Sequence, residues 1–144
     1  MAFRGTFDYT LDAKNRLTVP AKFRSSLSSG VVLARGSEPC VEVWPQADYE
    51  RATEGALAGL NPLSPRAQEL KRRLFAAAYD TDLDSAGRVM VPPKLLAHAG
   101  LERDVAVIGA GERLEVWDRD SWSSHDEDSP MRIHELTEGL GHPS

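Results

Sequence analysis

The stretch DAKNRLTVPAKFRSSL at residues 12–27 returns as DSAGRVMVPPKLLAHA at residues 84–99, 72 positions later. Both copies read D-x-x-x-R-x-x-V-P-x-K. The similarity continues in a second block, VLARGSEPCVEVW at 32–44 and VAVIGAGERLEVW at 105–117, where the shift is 73. Half-chains of about 70 residues bury little surface alone, so we expect the two halves to stack or intertwine around one core.

Each half is predicted to form a β-hairpin, a short helix and a second β-hairpin. Residues 3–11 alternate loosely between apolar and polar and are typical of a strand. Asn15 and Gly87 occupy the same position in the following turns, and both residue types readily enter the left-handed region that a tight turn requires. Beyond each turn, apolar residues alternate with Arg16 or Arg88, which predicts that the arginines point away from the apolar face.

Proline and glycine mark the helices. Pro20 and Pro92 stop a strand and start a short helix, and Gly100 is predicted to end the second of these. Helices are predicted from Gln46 to about Leu57 and from Ser64-Pro65 onward. The apolar face of the latter is predicted to comprise Ala67, Leu70, Leu74 and Ala78, and its opposite, basic face to comprise Arg66, Lys71, Arg72 and Arg73. This basic face is interpreted as solvated, with contact to phosphates or an acidic neighbour as the alternative.

The charge is unevenly distributed. The chain has 144 residues and a net charge of −5. Residues 117–144 hold seven acidic and two basic residues, so the remainder is neutral, and the first 30 residues are locally basic. An acidic tail that is predicted to be disordered therefore begins at residue 123.

Other features place the chain in a broad class. No apolar run approaches the roughly 20 residues that cross a bilayer, and the N-terminus lacks the apolar core of a signal peptide. A cytoplasmic protein without a membrane partner is the expectation. The single cysteine, Cys40, has no partner for an internal disulfide and is interpreted as a small buried apolar residue, with a reactive thiol as the alternative.

The D-x-x-x-R motif permits a specific kind of recognition. At the tip of a turn, an aspartate can hold the guanidinium of an arginine four residues later in one orientation. An exposed, oriented arginine suits guanine, whose O6 and N7 both accept hydrogen bonds in the major groove, and a two-stranded ribbon fits that groove. The alternative is a salt bridge in each half that only stabilises its turn.

Enzymatic interpretations are less well supported. Two halves that each supply one aspartate resemble a shared carboxylate dyad, but the neighbouring arginine would lower each aspartate pKa. Gly109 and Gly111 lack a third glycine, no G-K-[ST] phosphate loop is present, and the histidines are scattered without a cysteine at metal-ligand spacing. The sequence therefore predicts no enzyme, no cofactor and no metal site.

The doubled D-x-x-x-R motif, with V-P-x-K after each copy and the VEVW and LEVW strands at matched spacing, resembles the MraZ family of bacterial transcriptional regulators. The resemblance covers residues 3–122. It implies an α+β, mainly β fold: a tandem, pseudo-two-fold, AbrB-like swapped-hairpin barrel with linking helices. The expected units are residues 1–60, with the first repeat and its helix, and residues 61–122, with the linking helix and second repeat, followed by the tail at 123–144.

The resemblance also implies a function. The expectation is a sequence-specific DNA-binding transcriptional regulator, nucleoid-associated, that acts on the promoter of its own cell-division and cell-wall gene cluster through short G-containing direct repeats. Its partners would be double-stranded DNA and further copies of the chain in a ring of several subunits; no small-molecule ligand is evident. The residues expected to contact DNA are Asp12, Lys14, Arg16, Lys22, Asp84, Arg88 and Lys94. The alternative is a ring-forming scaffold that docks an acidic protein partner without reading DNA sequence.

Overall fold

The computed structural model describes residues 2–127 and 129–139. Its strands are β1 (Thr6–Thr10), β2 (Arg16–Thr18), β3 (Val31–Arg35), β4 (Cys40–Pro45), β5 (Ala78–Thr81), β6 (Arg88–Met90), β7 (Asp104–Gly109) and β8 (Leu114–Asp118). Its α-helices are α1 (Gln46–Leu57), α2 (Pro65–Phe75), α3 (Pro93–Ala99), α4 (Arg119–Glu127) and α5 (Ser129–Gly139). The chain is therefore α+β, as predicted, and its sheets are antiparallel, which is compatible with the predicted mainly β fold.

The two halves exchange strands. Six strands form one antiparallel sheet in the order β1-β7-β8-β4-β3-β5. The first strand of each half pairs with the other half, because β1 lies beside β7 and β5 lies beside β3. The hairpins β3–β4 and β7–β8 confirm the second hairpin predicted for each half. Within the described residues the six-stranded sheet is open, and no closed barrel is found.

The tight turn predicted near the start of each half is present, but the hairpin predicted around it is wrong. Strand β2 does not pair with β1; it pairs with β6 of the other half to form a two-stranded antiparallel ribbon. The backbone N–H of Val19 donates to the carbonyl of Gly87, and the N–H of Val91 donates to the carbonyl of Asn15, which extends the pairing at both ends. Residue alternation specifies which face of a strand is buried but not which strand lies beside it, so the pattern could not reveal this exchange.

The six-stranded sheet is buried on both faces. Val31 and Leu33 point to one face, which packs against the β2–β6 ribbon and α3, whereas Val32 and Ala34 point to the other face and pack with α1. Strands that are covered on both sides read as continuous apolar runs, as the VVLA of β3 does. The largest fully buried side chains come from both halves: Leu11, Leu17, Leu27, Leu33, Leu95, Leu114 and several valines. The halves therefore share one core.

Capping residues mark the start of α2 and the end of α3, as predicted. Ser64 accepts a hydrogen bond from the backbone N–H of Ala67 and starts α2, and Gly100 ends α3 with a φ of 62°. The helix predicted after Pro20 is instead two 3₁₀ turns, Ala21–Phe23 and Ser25–Leu27. Serine side chains compete for backbone hydrogen bonds and disfavour helix interiors, and the hydroxyl of Ser28 donates to the carbonyl of Ser25 here. The prediction of Ala78 on α2 is also wrong, because α2 ends at Phe75 and Ala78 lies in β5.

The segment predicted as an acidic tail, residues 123–144, contains helical residues in its described part. Helices α4 and α5 occupy residues 119–127 and 129–139, while the predicted tail's residue 128 and residues 140–144 lie outside the described residues. Trp122 stands 5.4 Å from Trp117 between ring centroids, and the ring of His125 stacks on Trp122 at 5.6 Å. These contacts pack α4 against the end of β8. Among the described helices, none is long and apolar enough to cross a bilayer.

Cys40 is buried beside Trp117, and its thiol is expected to be unreactive in the folded protein. Burial, together with the nearby carboxylates of Glu115 and Glu42, raises the pKa of this thiol to about 12. At pH 8 only about one thiol in ten thousand would then be a thiolate, the reactive form. We expect a disulfide-exchange reagent to label Cys40 in urea but not in buffer at pH 8. Rapid labelling of the folded protein would contradict this burial.

Candidate nucleic-acid interface

The carboxylate of Asp12 organises the turn at residues 12–16. Its Oδ1 atom accepts hydrogen bonds from the backbone N–H groups of Lys14 and Arg16, both at 2.9 Å. Its Oδ2 atom accepts a hydrogen bond from Nε of Arg16 at 2.6 Å. The N–H of Asn15 donates to the carbonyl of Asp12, and Asn15 has a φ of 58°, which confirms the predicted left-handed position. The spacing of four residues is therefore the spacing at which one aspartate can cap the turn and hold the arginine.

The turn at residues 84–88 repeats this geometry atom for atom. Oδ1 of Asp84 accepts from the N–H groups of Ala86 and Arg88 at 2.9 Å, and its Oδ2 accepts from Nε of Arg88 at 2.8 Å. Gly87 takes the place of Asn15 with a φ of 75°. In both turns the aspartate engages the Nε edge of the guanidinium. The terminal nitrogens make no hydrogen bond within the described part of the chain.

The pKa of both turn carboxyls lies below the ordinary aspartate value of 3.8. The backbone N–H of Arg16 is the main cause at Asp12, and the N–H of Arg88 is the main cause at Asp84; both outweigh the opposing effect of partial desolvation. Each carboxylate is thus stabilised by donors that its own turn provides.

We expect carboxyl carbon NMR to give titration midpoints below 3.8 for Asp12 and Asp84 in the folded protein, and ordinary midpoints in urea. Since the folded pKa is depressed, the unfolded chain binds these protons first as pH falls. The stability that the two carboxylates provide is complete above the unfolded-state pKa and is lost as pH falls through the folded-state pKa. A folded midpoint at or above 3.8 would contradict the turn geometry.

The two turns belong to opposite ends of the short β2–β6 ribbon. Leu17 and Val89 are buried on its inner side. Its outer side, here called the ribbon face, consists of Arg16, Thr18, Arg88 and Met90. Across this face Nη1 of Arg88 lies 4.0 Å from Oδ2 of Asp12, so the second arginine also approaches the first aspartate. The prediction that the arginines point away from the apolar side is confirmed.

The three lysines of the predicted site lie in different surroundings. Lys14 is exposed at the tip of the first turn, and the ammonium of Lys22 lies 5.0 Å from the ring centre of Phe7. Lys94, the counterpart of Lys22 in the second half, instead lines a cleft beside α2. The four Asp and Arg residues are therefore brought together with Lys14, whereas Lys94 faces a separate depression.

Sequence reasoning missed Arg24 as a support of this region. Its Nε donates to the carbonyl of Val19 at 3.1 Å, and a Cβ atom on Gly87 would clash with the same nitrogen. Gly87 therefore suits the positive φ of this turn and also leaves room for the side chain of Arg24. The sign of this role in the sequence is that Arg24 is a second basic residue, two positions after Lys22.

Arg113 was also missed, although the two glutamates that it contacts belong to the repeated E-V-W motif. Glu42 and Glu115 are directly opposite each other on β4 and β8. Nη2 of Arg113 donates to Glu115 at 2.7 Å, and Nε of Arg113 lies 3.3 Å from a Glu42 oxygen in an ionic contact without hydrogen-bond geometry. Each glutamate also accepts from the indole N–H of the tryptophan two residues later, Trp44 or Trp117.

The described residues contain no group of three or more histidine, cysteine, aspartate or glutamate side chains arranged to hold a metal ion. On the ribbon face, the terminal guanidinium nitrogens of Arg16 and Arg88 donate no hydrogen bond within the described residues. Donors of this kind can bind acceptors on a partner surface.

Comparisons with known proteins agree with the doubled architecture. The family model described as "MraZ protein, putative antitoxin-like" matches residues 2–71 and again residues 74–137. A protein of Micrococcus luteus named "Transcriptional regulator MraZ" is 46% identical over 124 residues, 85% of each chain. Proteins of the same name from Salinispora arenicola and Heliobacterium modesticaldum are 40% and 36% identical over 139 and 138 residues, 96% of each chain. With both halves matched and such identity over most of its length, the chain belongs to the MraZ family.

Proposed function

We propose that this chain is a sequence-specific DNA-binding transcriptional regulator that reads guanine with Arg16 and Arg88. One observation carries the proposal. In each turn the aspartate holds the Nε edge of the arginine and leaves the terminal guanidinium nitrogens without a hydrogen bond to the described residues. A fork of donors held in this way matches O6 and N7 of guanine, and it has little freedom left to lose on binding.

The ribbon face supports contact with the major groove. A two-stranded antiparallel ribbon is narrow enough to enter that groove, and the outer side chains of β2 and β6 would then face the base edges. Thr18 and the exposed Met90 lie between the arginines on this face. Their apolar groups suit contact with a thymine methyl.

The basic residues around the ribbon suit phosphate binding. Lys14, in the first turn, and Lys22 are exposed, and contacts of these lysines to phosphate would fix the position of the ribbon without specifying sequence. Asp12 and Asp84 act as positioning residues in this proposal, because they orient the arginines. Lys94 is assigned here only to the periphery of the interface.

The proposed target is a set of short G-containing direct repeats in the promoter of the chain's own cell-division and cell-wall gene cluster, within the nucleoid. A ring of several copies would present several ribbons to such repeats. Linked binding sites reinforce one another, so a single ribbon need not bind tightly. This multivalency also reconciles DNA binding with the net charge of −5.

The strand exchange supports the proposed division into repeat units, 1–60 and 61–122. Each unit supplies one D-x-x-x-R turn, and each lends its first strand to the other. We take the pair as two AbrB-like swapped-hairpin units that fold together. Residues 123–144 remain a separate C-terminal segment in this proposal.

The proposal is tested by fluorescence anisotropy of a labelled duplex that bears spaced G-containing repeats, against a scrambled duplex of the same composition. Both titrations are run at one physiological salt concentration, because affinity depends steeply on salt. We expect preference for the repeats of at least about a thousandfold, the lower range for specific binders. Equal weak binding to both duplexes would refute sequence reading and favour the scaffold that docks an acidic protein.

A further inference from the structure

A cleft of about 450 Å³ lies between α2, α3 and the strands β3 and β5, apart from the ribbon face. We call it the α2–α3 cleft. Its charged or titratable lining residues are Arg35, Glu69, Arg72, Arg73, Lys94 and His98. Tyr79 and the buried Leu95 add an apolar portion to its wall.

The charges in this cleft are not balanced. Glu69 is the one carboxylate among the lining residues, and it pairs with both Arg72, at 3.1 Å, and Arg73, at 3.2 Å. Within the described residues, neither Arg35 nor Lys94 has a carboxylate within 4.0 Å. Four cations therefore face one anion, in a chain whose net charge is −5. An anionic ligand would relieve this repulsion.

Different elements contribute the residues that line the cleft. Arg35 ends β3, and its backbone N–H donates to the carbonyl of Ala77, just before β5. On the α3 side, Nε2 of His98 is 3.0 Å from the carbonyl oxygen of Glu38 and donates to it. Arg72 and Arg73 remain largely exposed and can close over a ligand, as long arginine side chains do.

We propose that the α2–α3 cleft binds a compact anion with several adjacent phosphates. Arginine forks pair with phosphate in a bidentate manner, and lysine adds a point charge. The volume falls in the range of small-molecule sites, about 300–1,000 Å³. A concave wall of this size admits a short phosphate chain to its floor, whereas a rigid duplex would contact only the rim.

The site is tested by isothermal titration of the full chain with tripolyphosphate at fixed ionic strength and without DNA. Arg72→Gln with Arg73→Gln should weaken binding at least tenfold, because two charge-assisted contacts are removed. The matched control, Arg66→Gln with Lys71→Gln, removes two cations from the same helix outside the cleft and should change affinity less than about twofold. Glu69→Gln should strengthen binding, because it removes the competing carboxylate.

Three results would overturn the proposal: no saturable heat with the wild type, equal weakening by both double variants, or weaker binding by Glu69→Gln. A nucleoside triphosphate serves as a second arm. Affinity equal to that of tripolyphosphate assigns the site to the phosphate chain alone, and tighter binding assigns it to a nucleotide that also uses Tyr79 and Leu95.

A DNA arm separates this site from the proposed regulator function. The Arg72→Gln, Arg73→Gln variant should bind the repeat-bearing duplex as the wild type does. A loss of duplex affinity that matches the loss for tripolyphosphate would overturn the small-ligand assignment. It would indicate that the cleft binds the phosphates of DNA. Failure of tripolyphosphate binding, in contrast, leaves the ribbon-face proposal unaffected.

Discussion

Arg16→Ala is expected to weaken binding to a repeat-bearing duplex by about 1–3 kcal/mol for each arginine–guanine pair that it removes, which is about 5- to 150-fold per engaged site. The weakening arises because the guanidinium, already held by Asp12 through Nε, is the group that would donate to guanine. Anisotropy at one salt concentration, with repeat-bearing and scrambled duplexes, measures it. Affinity for the scrambled duplex should fall little, since other residues still bind its phosphates.

Matched variants separate base reading from charge. Arg16→Lys keeps the positive charge but loses the planar fork, so it should discriminate nearly as poorly as Arg16→Ala. Lys14→Ala removes an exposed cation at the same turn and should weaken both duplexes alike, with the slope of log affinity against log salt reduced by about one. If Arg16→Lys binds the repeats as well as wild type does, Arg16 contributes charge alone.

The Arg88→Ala variant tests whether the arginine in the second copy of the motif also contacts bases. The two turns have the same hydrogen bonds, but Arg88 also approaches Asp12 at 4.0 Å, whereas Arg16 has no such second aspartate within the described part of the chain. Equal losses of duplex affinity in Arg16→Ala and Arg88→Ala would indicate two base-contacting arginines per chain. An effect confined to Arg16→Ala would instead make Arg88 a support of the first turn.

Local features of this fold could be predicted because they are encoded within a few residues. The left-handed positions Asn15 and Gly87, the cap at Ser64 and the helix end at Gly100 each follow from the chemistry of one residue type. The geometry of the D-x-x-x-R turn is also local, since the hydrogen bonds that its aspartate side chain accepts all come from within five residues.

Features that depend on distant partners could not be predicted from patterns. The pairing of β2 with β6 joins residues about 72 positions apart, and alternation alone fits a local hairpin equally well. The packing of α4 depends on contacts of Trp122 and His125 with Trp117, while the local sequence shows mainly polar and charged residues. The role of Arg113 depends on two strands from different halves placing Glu42 opposite Glu115.

Arg113→Ala is expected to lower the free energy of unfolding by about 2–4 kcal/mol, somewhat less than the ~3–5 kcal/mol typical of breaking a fully buried ion pair. Glu42 and Glu115 are only 15% and 16% exposed, so they cannot rely on water to screen their repulsion. Burial alone lowers the pKa of Arg113, but the two glutamates outweigh it and raise that pKa. The guanidinium also lies 5.4 Å from the ring centre of Trp44, a cation–π contact that alanine would remove.

Urea unfolding at a fixed protein concentration measures this destabilisation, and the concentration must be fixed because assembly would add to apparent stability. Arg51→Ala removes an arginine of an exposed pair with Asp48 and should change stability by less than about 1 kcal/mol, so it controls for the removal of one surface charge. Glu42→Gln should destabilise the wild type but partly rescue Arg113→Ala, because in that background it relieves two facing carboxylates. If the two substitutions were simply additive, Arg113 would not couple the β4 and β8 glutamates, and the repeated E-V-W strands would be held together by backbone hydrogen bonds and packing without this ion pair.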